Sequence, residues 1–178
     1  MHARQFHPTH EDALDIIMIA AAPRRGERVL EPSCGDGRLA VPLLDAGCMV
    51  LAVDIDHDRT TALRGRSRRL ELWTADFLCL SFHPERRFDL VLMNPPFRPR
   101  RDVEHVLHAW EHAVTEGGRV VAVVSAGWCH GKGGKQVDRL RKLVAAHGHR
   151  FSLPDNHAPG ATKKTDLLVI HKPVVSRF

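Results

Sequence analysis

Short apolar runs rich in Val, Leu and Ile alternate with amphipathic stretches along most of this chain, and that alternation restricts the fold more than any single motif. Arg28–Pro32, Cys48–Ile55, Leu70–Leu78, Phe88–Met93, Arg119–Ser125 and Leu167–His171 read as strands. Continuous runs such as VVAVV suit strands covered on both faces. Between them the spacing predicts helices over Thr9–Ala22, Arg38–Ala46, Arg59–Arg66, Asp102–Glu116 and Lys135–His147, with Gly47, Gly117 and Gly148 placed as C-caps. Strands alternating with helices predict an open α/β sheet, mostly parallel, with helices on both faces. The last stretch, HRFSLPDNHAPGATKKTDLLVIHK, departs from this alternation and predicts two strands joined by a loop, so the sheet should finish in an antiparallel pair.

With 178 residues, 43% of them hydrophobic, the chain can bury one real core, and no repeat or linker divides it. A single domain over residues 1–178 is expected. The 26 Lys and Arg against 21 Asp and Glu give a formal charge of +5, which favours anionic partners without naming one. Cys34, Cys48, Cys79 and Cys129 are far apart and form no CxxC pair, so neither a zinc knuckle nor a disulfide framework is indicated. A reducing cytoplasm is the expected compartment. No apolar run approaches the roughly 20 residues that span a bilayer, and the opening MHARQFHPTH has no apolar signal-peptide core.

Chemistry concentrates where strands end. RVLEPSCGDGRLAVPLL sets Glu31, Pro32, Ser33, Cys34, Gly35, Asp36 and Gly37 between the first strand and a helix. The two glycines let backbone approach a ligand, yet neither the GK[ST] ending of a P-loop nor a full GxGxxG fingerprint is present. Acidic flanks argue against a pyrophosphate. The second strand ends in LAVDID, where an acidic residue of a doubly wound sheet accepts from ribose hydroxyls, so Asp54 predicts a nucleoside ligand, with Ile55 beside it. The third ends in TADFL, where Asp76 is placed to accept from an adenine amine while Phe77 and Leu78 supply apolar wall. Each feature alone has a plainer reading, as a turn, a helix cap or a loop carboxylate. The three in order carry the inference.

LEPSCGDG, VDID, TADFL and NPPF, in that order, resemble the successive motifs of class I S-adenosylmethionine-dependent methyltransferases, and specifically of adenine-specific DNA methyltransferases with the Asn-Pro-Pro-Phe motif. The resemblance reaches from about Phe6 to Lys172. It implies a Rossmann-like seven-stranded sheet and S-adenosylmethionine as cofactor, with Glu31 to Gly37 along its methionine, Asp54 at its ribose, Asp76 and Phe77 at its adenine, and Ile55 among the cofactor contacts. The opening FHPTHEDALDIIM is similar to the family's N-terminal element and brings Phe6 and Thr9 to the cofactor, although His10 stands where the family has Pro. The same motif serves RNA bases and protein glutamine side chains, each with a planar nitrogen.

The strand exit DLVLMNPPFRPR then has a chemical purpose. An adenine amine is a poor nucleophile because its lone pair is delocalised into the ring. The Asn94 side-chain oxygen and the Pro95 carbonyl, both accepting from that amine, would draw the nitrogen toward tetrahedral geometry at the atom where positive charge develops. Pro95 and Pro96 fix the backbone and present no donors, and Phe97 stacks on the base. A base within a duplex must first be flipped out. Arg98, Arg100, Arg101 and Lys132, in loops after the fourth and fifth strands, are candidates for phosphate contacts.

Arg64–Arg69, RGRSRR, precedes the third strand and falls on the opposite edge, as a solvated cluster. His105, His108 and His112 share a helix face expected to meet solvent. No carboxylate or Cys spacing completes a metal site around them. The expected partner is nucleic acid, DNA first. RNA, a protein glutamine, or a role as a non-catalytic partner subunit stay open. No residues after the catalytic motifs remain for a target-recognition region, so low specificity, a short site, a separate specificity subunit or a homo-oligomer are the expected routes to a target.

Overall fold

A computed structural model of the chain describes residues 11–97, 100–129, 133–154 and 164–175, with Glu11 and Asp12 described in backbone only. A seven-stranded sheet is built from β1 (Arg28–Glu31), β2 (Met49–Asp54), β3 (Leu70–Thr74), β4 (Phe88–Met93), β5 (Val114–Ser125), β6 (Gly148–Ser152) and β7 (Thr165–His171), in the order β3-β2-β1-β4-β5-β7-β6. β1 pairs in parallel with β2 and β4, β2 with β3, and β4 with β5, whereas β7 runs antiparallel to both β5 and β6. This is the Rossmann-like sheet with a terminal antiparallel pair that the sequence predicted.

The buried strands alternate between two cores. Leu30, Val53, Val91 and Met93 join one cluster with Val106, Leu140 and Leu168, under α4 (Arg101–His108) and α5 (Gly134–His147). Val29, Val50, Ala52, Leu90 and Leu92 join the other with Ile17 and Leu43, under α1 (Glu11–Ala21) and α2 (Ala40–Asp45). Period-two alternation in an all-apolar strand thus feeds both faces. A short α3 (His57–Ala62), capped by the Asp56 side chain on the Asp58 N–H, connects β2 to β3.

α1 is fastened to the sheet by Arg119 of β5. Its guanidinium donates to the Ala21 and Ala22 carbonyls at 2.7 and 2.9 Å and grips both oxygens of Glu27 at 2.9 Å. Burial opposes ionisation of Glu27, but the hydrogen bonds from Arg119 and the Arg24 N–H hold its carboxyl below the usual value.

Several boundaries differ from expectation. β3 stops at Thr74, and Phe77–Cys79 forms a tight 3₁₀ turn capped by Asp76, because a side chain that accepts the Leu78 N–H at 3.0 Å ends the strand. The helix expected over Asp102–Glu116 passes at Ala109–Ala113 into one wide π turn and ends there, so Gly117, with φ +76°, lies within β5 instead of capping a helix. Gly148 is extended, with φ −151°, and opens β6; it does not cap α5 in the left-handed region.

Candidate active site

Going outward from β1, the chain builds β2 and β3 on one side and β4 and β5 on the other, so the strand order reverses between β1 and β4. In open α/β sheets ligands bind outside the carboxyl ends at such a reversal. The two strands that flank it end in Glu31 and in Asn94, the residue after Met93. The Gly-rich turn and the NPPF exit therefore face one crevice.

The turn is locked to β2. The Cys34 N–H donates to the Val53 carbonyl at 2.9 Å, and the buried Asp54 carboxylate accepts the Gly35 N–H at 2.9 Å on one oxygen and the Asp56 N–H at 2.8 Å on the other. Gly37 sits at φ +83°, where a side chain is strained, and a Cβ there would also crowd a Leu63 methyl group at 2.5 Å. Pro32, Gly35 and Gly37 are buried and Ser33 is half-buried. Burial, together with the Glu31 and Asp54 charges, pushes the buried Cys34 thiol up, which leaves it inert as a nucleophile.

Glu31 is 1% exposed, and its Oε2 has no hydrogen-bond partner among the described residues. Burial, then the charges of Asp36 and Asp54, raises its carboxyl well above the ordinary range, against a lowering by the Ala40 backbone. A buried acidic wall with an orphaned oxygen suits a cationic ligand. Ile55, beside Asp54, is 55% exposed and offers an apolar surface at the same edge.

Asp76 and its neighbours differ from the sequence reading. One Asp76 oxygen caps the turn, and the other meets the Arg101 guanidinium at 2.9 Å. Arg101, expected to take phosphate, is instead committed to Asp76 and, at 3.6 Å, to Glu104. Phe77 is buried, its ring edge-on to His105 and His108, with centroids 5.5 and 4.8 Å away. Leu78 and Leu80, half-buried, pack against the same core cluster. His105 also departs from the expected solvent face. Burial first, then the Arg101 charge, brings it down to about 4, so it is a neutral core side chain at pH 7.

At the β4 exit Asn94 is half-buried with its side-chain oxygen enclosed, Pro95 is buried, and Pro96 is half-buried. Phe97, also half-buried, packs against the core cluster beneath α1 and α2. Arg100 is exposed in the left-handed region at φ +65°, and its guanidinium lies 3.1 Å from where a Cβ of Gly134 would stand, at the start of α5. Phe6, Thr9, Arg98 and Lys132 lie outside the described residues.

One positioning residue escaped the sequence reading. Asp102, buried in the first turn of α4, accepts the Ser125 N–H at 2.8 Å and the Ser125 hydroxyl at 2.7 Å. It ties the far end of the NPPF loop to the end of β5. An acidic residue in a first helical turn is common, and only its burial distinguishes this one. Among the described residues no group of three His, Cys, Asp or Glu side chains gathers to hold a metal, and no helix is long and apolar enough to cross a membrane.

This sheet order, with a glycine turn at its reversal point, is the Rossmann-like methyltransferase fold. The methyltransferase domain family matches residues 29–118, half of the chain, and the chain belongs to that family. It is 30% identical over 122 residues to ribosomal RNA small subunit methyltransferase C of Chromohalobacter salexigens, a match covering 64% of this chain and 36% of that protein. The chain thus spans about a third of that relative's length. Its fold is shared with a modification subunit of a putative type I restriction enzyme from Vibrio vulnificus YJ016, at a TM-score of 0.78 and 16% identity over 97% of this chain and 46% of that one. It is shared too with a dimethyladenosine transferase from Plasmodium falciparum, at a TM-score of 0.71 and 20% identity over 92% and 62%.

The cofactor of this fold, S-adenosylmethionine, carries a sulfonium and an ammonium group, and the orphaned Glu31 oxygen, which feels the charges of Asp36 and Asp54, fits such a cation. Without a cation, Glu31 holds a proton in the fold above the ordinary 4.5 at which the unfolded chain releases it. The folded state then binds more protons than the unfolded one, so this contribution to stability is present at low pH and is lost as pH rises through the raised folded value. Melting curves of ligand-free Glu31→Gln between about pH 5 and 8 are expected to fall less with rising pH than those of the parent. Parallel curves would show that Glu31 does not bury a proton.

Proposed function

We propose that this chain transfers a methyl group from S-adenosylmethionine to the exocyclic amino nitrogen of adenine in DNA. The observation that carries the reading is the placement of Asn94-Pro95-Pro96-Phe97 at the exit of β4, across the strand-order reversal from the glycine turn. When bound, the cofactor supplies an electrophilic sulfonium methyl. Glu31, Asp54 and Ile55 hold its charged and sugar portions, and Asp76 reaches its adenine by sharing its carboxylate with Arg101.

Asn94 and the Pro95 carbonyl accept both protons of the target amine and turn its lone pair out of the ring. Pro95 and Pro96 keep these acceptors in one relative position. Phe97 stacks on the base, and Arg98, Arg100 and Lys132 approach phosphates. The proton released on transfer goes to solvent. The described residues act as one catalytic domain, and low specificity, a short site, a separate specificity subunit or a homo-oligomer are the routes to a target that go with it.

RNA is the second reading, favoured by the 30% identity to a ribosomal RNA methyltransferase. Transfer of labelled methyl from S-adenosylmethionine is to be measured with DNA, RNA and a protein extract offered in parallel. DNA is expected to take the label. Label confined to RNA would move the assignment to the second reading, and label confined to protein would sink both.

A further inference from the structure

Beyond β4 and β5 the carboxyl edge continues to β7 and β6, and there a cavity of about 410 Å³ opens. Arg150 and Ser152 of β6 line it with Lys164 and Thr165 at the start of β7, and Leu153 contributes an apolar side. We propose that this cavity holds a backbone phosphate of the nucleic-acid strand that carries the target base, with Arg150 and Lys164 as its cations. The inference rests on the nucleic-acid reading above and extends it to a second point of attachment.

Position is the first argument. Ser125 pairs with Thr165, the Ala126 N–H donates to the Lys164 carbonyl at 2.9 Å, and Ser152 pairs with Asp166. These contacts put the cavity on the edge where β4 delivers Asn94. Neighbouring strands lie about 4.8 Å apart, so β6, three places from β4, is roughly 14 Å away across the edge. A single nucleic-acid strand with its target base at Asn94 can lie across that distance.

Preorganisation is the second. Asp166 is 1% exposed and accepts the Trp128 indole N–H at 3.1 Å and the Ser152 hydroxyl at 3.4 Å. It stands 3.6 Å from Nη1 of Arg150, which also contacts the Cys129 sulfur at 2.8 Å. The buried carboxylate therefore anchors the half-exposed guanidinium by one nitrogen of a fork that carries five donors. Two cations against one carboxylate leave the cavity net positive. A phosphodiester matches that set.

The test is fluorescence anisotropy of labelled single-stranded DNA and RNA oligonucleotides across a salt series, with calorimetry of S-adenosylmethionine binding alongside. Arg150→Ala is expected to weaken oligonucleotide binding about 5- to 10-fold and to lower the slope of log affinity against log salt by about 0.7 to 0.9, the loss of one phosphate contact. Its cofactor affinity should match the parent's. Arg150→Lys, which keeps the charge and loses the fork, should fall between. Should Arg150→Ala fail to bind cofactor, Lys164→Ala reads the same slope without touching Asp166. An unchanged slope and affinity in a variant that binds cofactor overturns the cavity assignment and leaves the function intact. Absence of oligonucleotide binding by the parent chain overturns both.

Discussion

Asn94→Ala is expected to lower kcat for methyl transfer about 10²- to 10³-fold while leaving the cofactor Kd within about twofold. That is the range found when one preorganised dipole facing developing charge is removed from an active site. The amide lies across the crevice from the glycine turn, so its loss should not disturb Glu31 or Asp54. Nor should it unfold the chain, because Asn94 is only half-buried and the loop's far end is held by Asp102 on Ser125. Steady-state kinetics with saturating nucleic acid, paired with calorimetry, separates the two effects. An Asn94→Ala enzyme with full kcat would remove the amide from the chemistry altogether.

Asp54→Ala should produce the largest loss of cofactor affinity. Its carboxylate accepts backbone N–H groups from Gly35 and from Asp56, and hydrogen bonds to a charged group contribute about 1.5 to 3 kcal/mol each. Removing it frees the turn and also deletes the acceptor assigned to the ribose. The cofactor Kd is expected to rise at least about 100-fold, which corresponds to roughly 2.7 kcal/mol. Oligonucleotide Kd values should change by less than about threefold, because the proposed phosphate contacts lie beyond β4. Equal losses of cofactor and oligonucleotide binding would count against the ribose assignment.

Much of this site was legible in the sequence because strand ends in a doubly wound sheet occupy fixed places. Apolar runs set the strands, and residues closing successive runs, Glu31, Asp54, Asp76 and Asn94, had to share one edge. The antiparallel finish was legible because the final segment left no room for a crossover helix. What escaped were interactions that depend on which side chain meets which across the fold. Phe77 and Leu78 continue an apolar run, which by itself predicts a strand through them, whereas Asp76 turns the chain and sends Phe77 into the core.

Arg101 follows a loop rich in basic residues, a pattern that predicts a phosphate ligand and carries no sign of its partner Asp76, 25 positions earlier. His105, one of three histidines at helical spacing, gave no sign of burial, since spacing fixes a shared face and not what covers it. Asp102 and Asp166, both buried, carry no local sign in the sequence that separates them from ordinary charged residues. Their partners Ser125 and Arg150 come from other strands, so no local pattern announces them.

The most direct measurement is nucleoside analysis by mass spectrometry after incubating the chain with S-adenosylmethionine and DNA. The expected product is N6-methyldeoxyadenosine, formed by the parent and depleted about 100-fold or more with Asn94→Ala. Methyl groups on cytosine, on a ring nitrogen, or on no nucleoside at all would contradict the assignment of Asn94 and Pro95 to an adenine amine.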